Sequence, residues 1–366
     1  MYRPFYYCIL ALRQKLYSPF YLPFTTLYSP CMSAKYRNFF LLVGLAAIVI
    51  MLLTFEWPDK NLWQQVKSSY YWFIAVIVLW LPIYLLNAWA WYVIINDGNP
   101  EHKVGFWRVF KYTISGYALN YVTPVGVLGG EPYRIMELTP YVGAAKASSS
   151  VILYAMMHIY SHFWFWAFSI VLFVALYFSI INWAVAAILL VMTAFCALGI
   201  YFFMVGYNNG LAVRALRFFG KWPLIGKRVR SFAEKNNETV ERVDRQIAEL
   251  HAQRKSTFYL SLFLEFLARV VGCAEVLFIV FMLNDNSHIT FVDCILMQAY
   301  MSLFANLMFF IPMEMGTREG GFAMISKTLA FNQAVGVLTG LVTRVRELFW
   351  IAVGLLLMKI GNKKKS

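Results

Sequence analysis

The chain has 366 residues, of which 61% are hydrophobic and 18% are aromatic, and its formal net charge is +14. This composition excludes a soluble globular domain, because too little polar sequence separates the apolar stretches to form a water-facing surface. The basic residues lie in loops beside apolar runs, so we expect anionic lipid headgroups, and no nucleic acid, as their partners. The five cysteines form no CxxC pair, which predicts neither a disulfide framework nor a metal site.

The N-terminal tail, residues 1–38, begins with a segment rich in proline and free of acidic residues up to residue 31. From Met32 the chain reads as a short basic segment followed by an apolar helix. We therefore hypothesise that translation begins at Met32, the alternative being a genuine tail. The apolar stretch 39–55 lacks a small-residue cleavage site, which predicts a retained anchor rather than a signal peptide.

Six apolar stretches are long enough to cross a bilayer, whose core requires about 20 residues of helix. They are predicted at 39–55, 70–96, 149–178, 182–206, 258–283 and 335–358.

Two further apolar stretches, 104–138 and 289–328, are interrupted by NYVTPVGVLGGEPYR and NLMFFIPMEMGTREGG. Proline ends a helix and glycine permits a tight turn, and lipid cannot satisfy the backbone groups that such a break frees. We therefore expect two re-entrant helical hairpins buried within the protein. Freed N–H groups and nearby arginines favour an anion such as phosphate.

The segment 207–257 carries eleven Lys or Arg and five acidic residues and is interpreted as a basic amphipathic insertion. The tail 361–366 is also basic, whereas the loop 284–288 has no Lys or Arg. The distribution of positive charge predicts that both termini and the long insertion are cytoplasmic.

The two broken motifs share residues at one fixed interval. Pro124 and Pro312 lie 188 residues apart, and so do Glu131 and Glu319. The chain is therefore interpreted as two membrane repeats, 39–180 and 181–360, each with spanning helices and one broken hairpin. Because the first repeat would start inside and the second outside, the pattern predicts an inverted-topology repeat. The expected fold class is thus an all-α polytopic membrane protein with about six transmembrane helices and two re-entrant hairpins.

The candidate substrate-binding residues are polar residues and glycines in and beside these motifs. A charge at the centre of a bilayer costs at least about 2.5 kcal/mol, so such residues indicate either function or a structural ion pair. They are Asn120, Gly129, Gly130, Glu131, Arg134, Asn306, Glu314, Gly316, Arg318, Glu319 and Arg344. For Asn120 and Asn306, capping of freed backbone is the favoured role.

Three other polar features lie outside the motifs. Glu265 and Arg269, four residues apart, are either a functional pair or a packing ion pair. His158 and His162 have a spacing that can bind metal, but a hydrogen-bonded pair is the favoured interpretation. In the last span, we expect Arg344 or Glu347 to face inward.

The motifs TPVGVLGGEPYRIMEL and IPMEMGTREGGFAMI resemble the two signature segments of the lysylphosphatidylglycerol synthase transmembrane region, over about 39–360. Gly129, Gly130, Glu131 and Arg134 match the first segment. In the second, Pro312, Gly316 and Glu319 match, whereas Glu314 stands where a small residue is common. The resemblance implies a multi-pass inner-membrane protein proposed to move lipids between leaflets, without the soluble synthase domain that some members carry.

Two classes of function remain open at this point. The first is a flippase that moves an anionic or phosphate-bearing lipid through a central polar cavity, with Glu131 and Glu319 as candidates for proton coupling. The second is an accessory subunit of a partner enzyme in envelope synthesis, or a lipid-phosphate-modifying enzyme. The sequence offers no catalytic motif and no nucleotide- or metal-binding motif, so we expect neither catalysis nor a cofactor.

Overall fold

The computed structural model describes nine α-helices in residues 69–97, 103–122, 129–209, 255–282, 289–307, 321–322, 324–326 and 333–359. They are α1 Tyr70–Asn96, α2 Phe106–Val122, α3 Gly130–Val142, α4 Ala144–Leu176, α5 Trp183–Asn209, α6 Lys255–Gly272, α7 Ala274–Met282, α8 Phe291–Leu307 and α9 Gln333–Lys359. The predicted all-α membrane fold is confirmed. The tail 1–38, the span 39–55, most of the insertion 207–257, the loop 284–288 and the tail 361–366 lie outside the described residues.

Three of the described helices have the length and hydropathy of membrane spans: Tyr70–Asn96, Lys146–Leu176 and Trp183–Met204. They coincide with three predicted spans to within a few residues. Much of their surface is apolar and exposed, for example Trp183 at 85% and Leu190 at 72%. A helix that is apolar on all sides and exposed in this way is suited to lipid contact.

The predicted fifth span, 258–283, is two helices rather than one. Cys273 separates α6 from α7, where its N–H bonds to the carbonyl of Val270 and its own carbonyl accepts from Val276. These bonds span three residues instead of four, so the helix is interrupted by one tight turn. The predicted sixth span is the continuous helix α9.

The core is built around α1, which packs against α2, α4, α6 and α7. Trp72 of α1 packs on Phe281 of α7, and farther along α1 Ile83 lies against Gly272 of α6. Residue numbers rise along one partner and fall along the other, so α1 runs antiparallel to α6 and α7. Helix α9 packs on α2, and α8 packs on α4.

Candidate functional site

The first broken motif folds as an antiparallel hairpin of α2 and α3. Arg108 near the start of α2 stacks on Tyr141 at the end of α3, and Gly116 meets Gly130 at the opposite end. A Cβ on Gly130 would collide with the Gly116 carbonyl oxygen, so glycine permits the close approach of the two helices there. The structure thus describes both helices of this hairpin, whereas residues 123–128 between them lie outside the described part of the chain.

Asn120 holds the N-terminal end of α3 against α2. Its Oδ1 accepts a hydrogen bond of 2.6 Å from the backbone N–H of Gly130, and its Nδ2 donates to Glu131 Oε1 at 3.2 Å. Asn120 therefore takes up one of the N–H groups that a helix start leaves unpaired. The same Glu131 oxygen accepts a bond of 3.3 Å from Arg134 Nη1. The motif residues Asn120, Glu131 and Arg134 thus form one hydrogen-bonded group.

Arg134 is 1% exposed and sits between backbone and aromatic rings. Its Nη2 donates to the Thr113 carbonyl at 3.2 Å. The guanidinium carbon lies 5.5 Å from the ring centre of Trp91, 4.8 Å from Tyr117 and 5.3 Å from Tyr154. These distances allow cation–π stabilisation, which is worth about 2 kcal/mol for a desolvated cation.

Gly116 lies against the other side of Arg134, where a Cβ would run into the guanidinium. A larger residue at this position would therefore displace the arginine from its place on the hairpin.

Hydrogen bonds continue from these rings to α4 and α6. The Tyr117 hydroxyl lies 2.9 Å from that of Tyr154 and 3.3 Å from His158 Nδ1. His158 Nδ1 in turn lies 2.8 Å from Glu265 Oε2. Glu265 is 1% exposed, whereas the His158 side chain is about one-third exposed.

Glu265 and Arg269 both bond to α4 instead of pairing with each other. Arg269 donates from Nε to Ser161 Oγ at 2.8 Å and from Nη2 to the His158 carbonyl at 2.6 Å. We name the connected set the Arg134 network; its members are Tyr117, Asn120, Glu131, Arg134, Tyr154, His158, Ser161, Glu265 and Arg269.

Several buried polar atoms in and beside the Arg134 network have no hydrogen-bond partner among the described residues. They are Glu131 Oε2, Arg134 Nε, His162 Nδ1 and Glu265 Oε1. Buried polar atoms in folded proteins are usually hydrogen-bonded, and an unsatisfied one costs about 1–3 kcal/mol. Among the described residues, the network therefore has an unsatisfied donor on Arg134 and an unsatisfied acceptor oxygen on each of Glu131 and Glu265.

A second buried charge cluster, the Arg346 cluster, consists of Trp80, Glu275, Arg346 and Glu347. Arg346 binds Glu275 through two bonds of 2.8 and 3.1 Å, and its Nη1 lies 3.6 Å from Glu347 Oε1. Its guanidinium also covers the Trp80 ring at 3.7 Å, while Trp80 Nε1 donates to Glu275 at 3.3 Å. Arg346 is thus both ion-paired with buried carboxylates and stacked on an aromatic ring.

The remaining candidate residues are not part of the Arg134 network. Asn306 is exposed and donates to the Ser302 carbonyl one turn earlier on α8. Arg344 is buried on α9, two residues before Arg346. Gly129 directly precedes α3. The candidates of the second motif lie outside the described residues: Glu314, Gly316, Arg318 and Glu319.

Sequence reasoning missed the aromatic residues around Arg134 and overlooked Glu275. Glu275 was detectable, because a carboxylate within a predicted span is by itself a signal. Trp91, Tyr117 and Tyr154 were not, since aromatic residues are common throughout this chain. In the described ranges, no three His, Cys, Asp or Glu side chains come together as a metal site would require.

The fold and this buried polar network define a polytopic α-helical membrane protein. A sequence model of the lysylphosphatidylglycerol synthase TM region matches residues 40–354, and the chain belongs to that family. The resemblance noted from the two motifs is thereby confirmed. Comparison with curated proteins and with solved structures gives no match. The family places the chain among membrane proteins with a lipid-related role.

Proposed function

We propose that the chain is a lipid translocase that binds the anionic or phosphate-bearing headgroup of a membrane lipid at Arg134 and moves it between leaflets. The observation that carries the proposal is the guanidinium of Arg134, which is buried beside the interrupted motif of a membrane protein and whose one salt bridge among the described residues is to Glu131 Oε1, at 3.3 Å. A desolvated guanidinium recognises phosphate oxygens strongly, and its charge is costly unless it is used or fully paired. No catalytic role is assigned to the network.

The proposal includes an inverted repeat, in which the two halves of the chain have equivalent helices of opposite orientation. The positions of the helices support it. Helices α6 and α8 begin 185 residues after α1 and α2, and α9 begins 189 residues after α4. Helices α2 and α8 are also equal in length, at 17 residues each. The proposed equivalents α1 and α6–α7 lie side by side and antiparallel, as a two-fold axis in the membrane plane requires.

Individual contacts support the same repeat. Glu265 of α6 meets His158 of α4, and at nearly the equivalent positions Trp80 of α1 meets Arg346 of α9. One turn further along, Arg269 meets Ser161, and the equivalent residues are in contact as well: the rings of Tyr84 and Trp350 lie 4.9 Å apart. Two helix pairs therefore cross at matching positions, although the side chains at the crossings differ.

The proposed setting is the inner membrane, with both termini and the insertion 207–257 cytoplasmic. Cysteine-accessibility mapping in cells tests this topology. We expect labelling of 284–288 from outside and of 207–257 only after permeabilisation. The reversed pattern would contradict the orientation, and labelling of both segments from the same side would contradict the inverted repeat.

The headgroup site is tested by native mass spectrometry of the detergent-purified protein. Because Arg134→Ala alone would leave Glu131 without its ion-pair partner, the charge-neutral double variant Glu131→Gln/Arg134→Gln is measured beside it. Arg108→Ala is the matched control, because Arg108 is an exposed arginine on the same hairpin. We expect one anionic lipid to be retained by the wild type and by Arg108→Ala and lost by both Arg134 variants.

Loss of binding would lead to a second measurement, translocation of the same lipid between leaflets of liposomes. Equal retention of mixed bulk lipid by all variants would refute the headgroup site. The low exposure of Arg134 would then favour a structural arginine, and with it a non-transport role as an accessory subunit of an envelope-synthesis enzyme.

A further inference from the structure

We propose that His158 and Glu265 form a proton-binding site, and that one proton enters it when a monoanionic lipid headgroup binds at Arg134. This inference rests on the proposed function, since it concerns what must accompany the lipid. It assigns the coupling ion to α4 and α6 rather than to the broken motif.

The first argument is geometric. His158 Nδ1 and Glu265 Oε2 are 2.8 Å apart, so the imidazole N–H donates to the carboxylate when the pair carries one negative charge. A further proton has two places to go: the other imidazole nitrogen, on a side chain that is one-third exposed, or the buried Oε1 of Glu265, which has no partner among the described residues. The pair can therefore gain a proton without breaking its own bond.

Glu131 is less suited to this role. Its Oε1 already accepts bonds from both Arg134 and Asn120. Protonation of Glu131 would also remove the carboxylate that pairs with Arg134. The proposal therefore favours the His158–Glu265 pair over Glu131 as the proton carrier.

The second argument is charge balance. With His158 neutral, the Arg134 network holds two arginines, Arg134 and Arg269, and two carboxylates, Glu131 and Glu265. A phosphodiester headgroup would add one negative charge to this balanced interior. An uncompensated charge in a low-dielectric site is strongly unfavourable, so uptake of one proton by the network lowers the cost of lipid binding.

The third argument is that side chains connect the proton site to the headgroup site. The Tyr117 hydroxyl bonds both to Tyr154 and to His158, and the rings of both tyrosines face Arg134. The proton site and the headgroup site are therefore joined by one pair of side chains. The titratable and charged groups that contact the His158–Glu265 pair are Tyr117 from α2, Tyr154 and His162 from α4, and Arg269 from α6. Arg134 of α3 and Tyr84 of α1 are one step farther away, because both pack on Tyr117.

The test is a proton-uptake titration with phosphatidylglycerol as the anionic probe and phosphatidylcholine as the zwitterionic control. Purified protein in weakly buffered detergent with a pH indicator receives the lipid, and bound lipid is counted by native mass spectrometry. For the wild type we expect about one proton taken up per bound phosphatidylglycerol and an affinity that rises by up to about tenfold for each unit fall in pH. Phosphatidylcholine is expected to cause no uptake.

Two variants remove the proton site independently, Glu265→Gln and His158→Gln, so that a folding defect in one does not decide the result. At least one is expected to keep binding phosphatidylglycerol with little uptake and little dependence on pH. Glu137→Gln, a carboxylate of α3 outside the network, is the matched control and is expected to match the wild type.

Lipid binding without proton uptake by the wild type would overturn this inference while leaving the headgroup site intact. Undiminished uptake in both Glu265→Gln and His158→Gln would also overturn it, since the proton would then bind elsewhere. If the wild type retains no anionic lipid, both the headgroup site and the coupled proton fail together.

Discussion

The Glu275–Arg346 pair offers the sharpest test of the structure through a double-mutant cycle. Both side chains are 3% exposed and are joined by two short bonds, so removal of either one leaves a buried charge without its partner. Such a loss typically costs about 3–5 kcal/mol. Glu275→Gln is expected near the lower end, because Glu347 lies 3.6 Å from Arg346 and still compensates part of its charge.

Arg346→Gln is expected near the upper end of that range, about 5 kcal/mol, since it leaves two neighbouring buried carboxylates. The double variant Glu275→Gln/Arg346→Gln removes the pair together but leaves buried Glu347 without Arg346, so it is expected to cost about 5 kcal/mol, no more than Arg346→Gln alone. The interaction energy between the two positions should therefore reach about 3 kcal/mol.

The assay is unfolding in mixed micelles with increasing sodium dodecyl sulfate, followed by the helical circular dichroism signal. Arg108→Gln is the control, because an exposed arginine stacked on Tyr141 is expected to contribute no more than about 1 kcal/mol. Additive effects of the two single variants would show that the side chains do not interact and would refute the described packing of α7 on α9.

Three further predictions concern close packing. Gly130→Ala should lower the free energy of unfolding by about 1–3 kcal/mol, because the new Cβ meets the Gly116 carbonyl. Gly105→Ala is the control and should have little effect, because its Cβ meets nothing within 4 Å. Equal unfolding midpoints for the two variants would contradict the close packing at Gly130. Gly354→Ala should destabilise by a similar amount through collision with α2, as judged in the same unfolding assay. Tyr117→Phe removes the hydroxyl that contacts Tyr154 and His158 and should cost about 1–2 kcal/mol, and an unchanged midpoint would argue against those bonds.

Local sequence signals predicted the helices and the near neighbours well. The apolar run at 70–96 gave the bounds of α1, and the prolines and glycines of the first motif marked the gap between α2 and α3. Glu131 and Arg134 pair as residues three apart on one helix can. These features depend on backbone chemistry and on helical spacing, both of which are written in a short stretch of sequence.

Contacts between distant helices could not be predicted in this way. Glu275 and Arg346 are 71 residues apart, and His158 and Glu265 are 107 apart, so their pairing depends on how whole helices cross. The expectation that Arg344 or Glu347 would face inward placed the charge on the right turn of α9. Arg346 also faces inward and binds Glu275 of α7, a partner that the sequence did not predict. Helical periodicity gives the face, whereas the partner comes from packing.

The two helix crossings of the proposed repeat differ in a way that matters for a transporter. At the crossing of α1 and α9, Arg346 has a permanent charge, two bonds to Glu275 and a stacked tryptophan, so one proton added there would break an ion pair. At the crossing of α4 and α6, His158 can accept a proton while its bond to Glu265 persists. The proposed repeat therefore combines equivalent geometry with unequal chemistry. On the two proposals together, the α1–α9 crossing has a structural role, and the charge of the α4–α6 crossing follows the charge of the bound lipid.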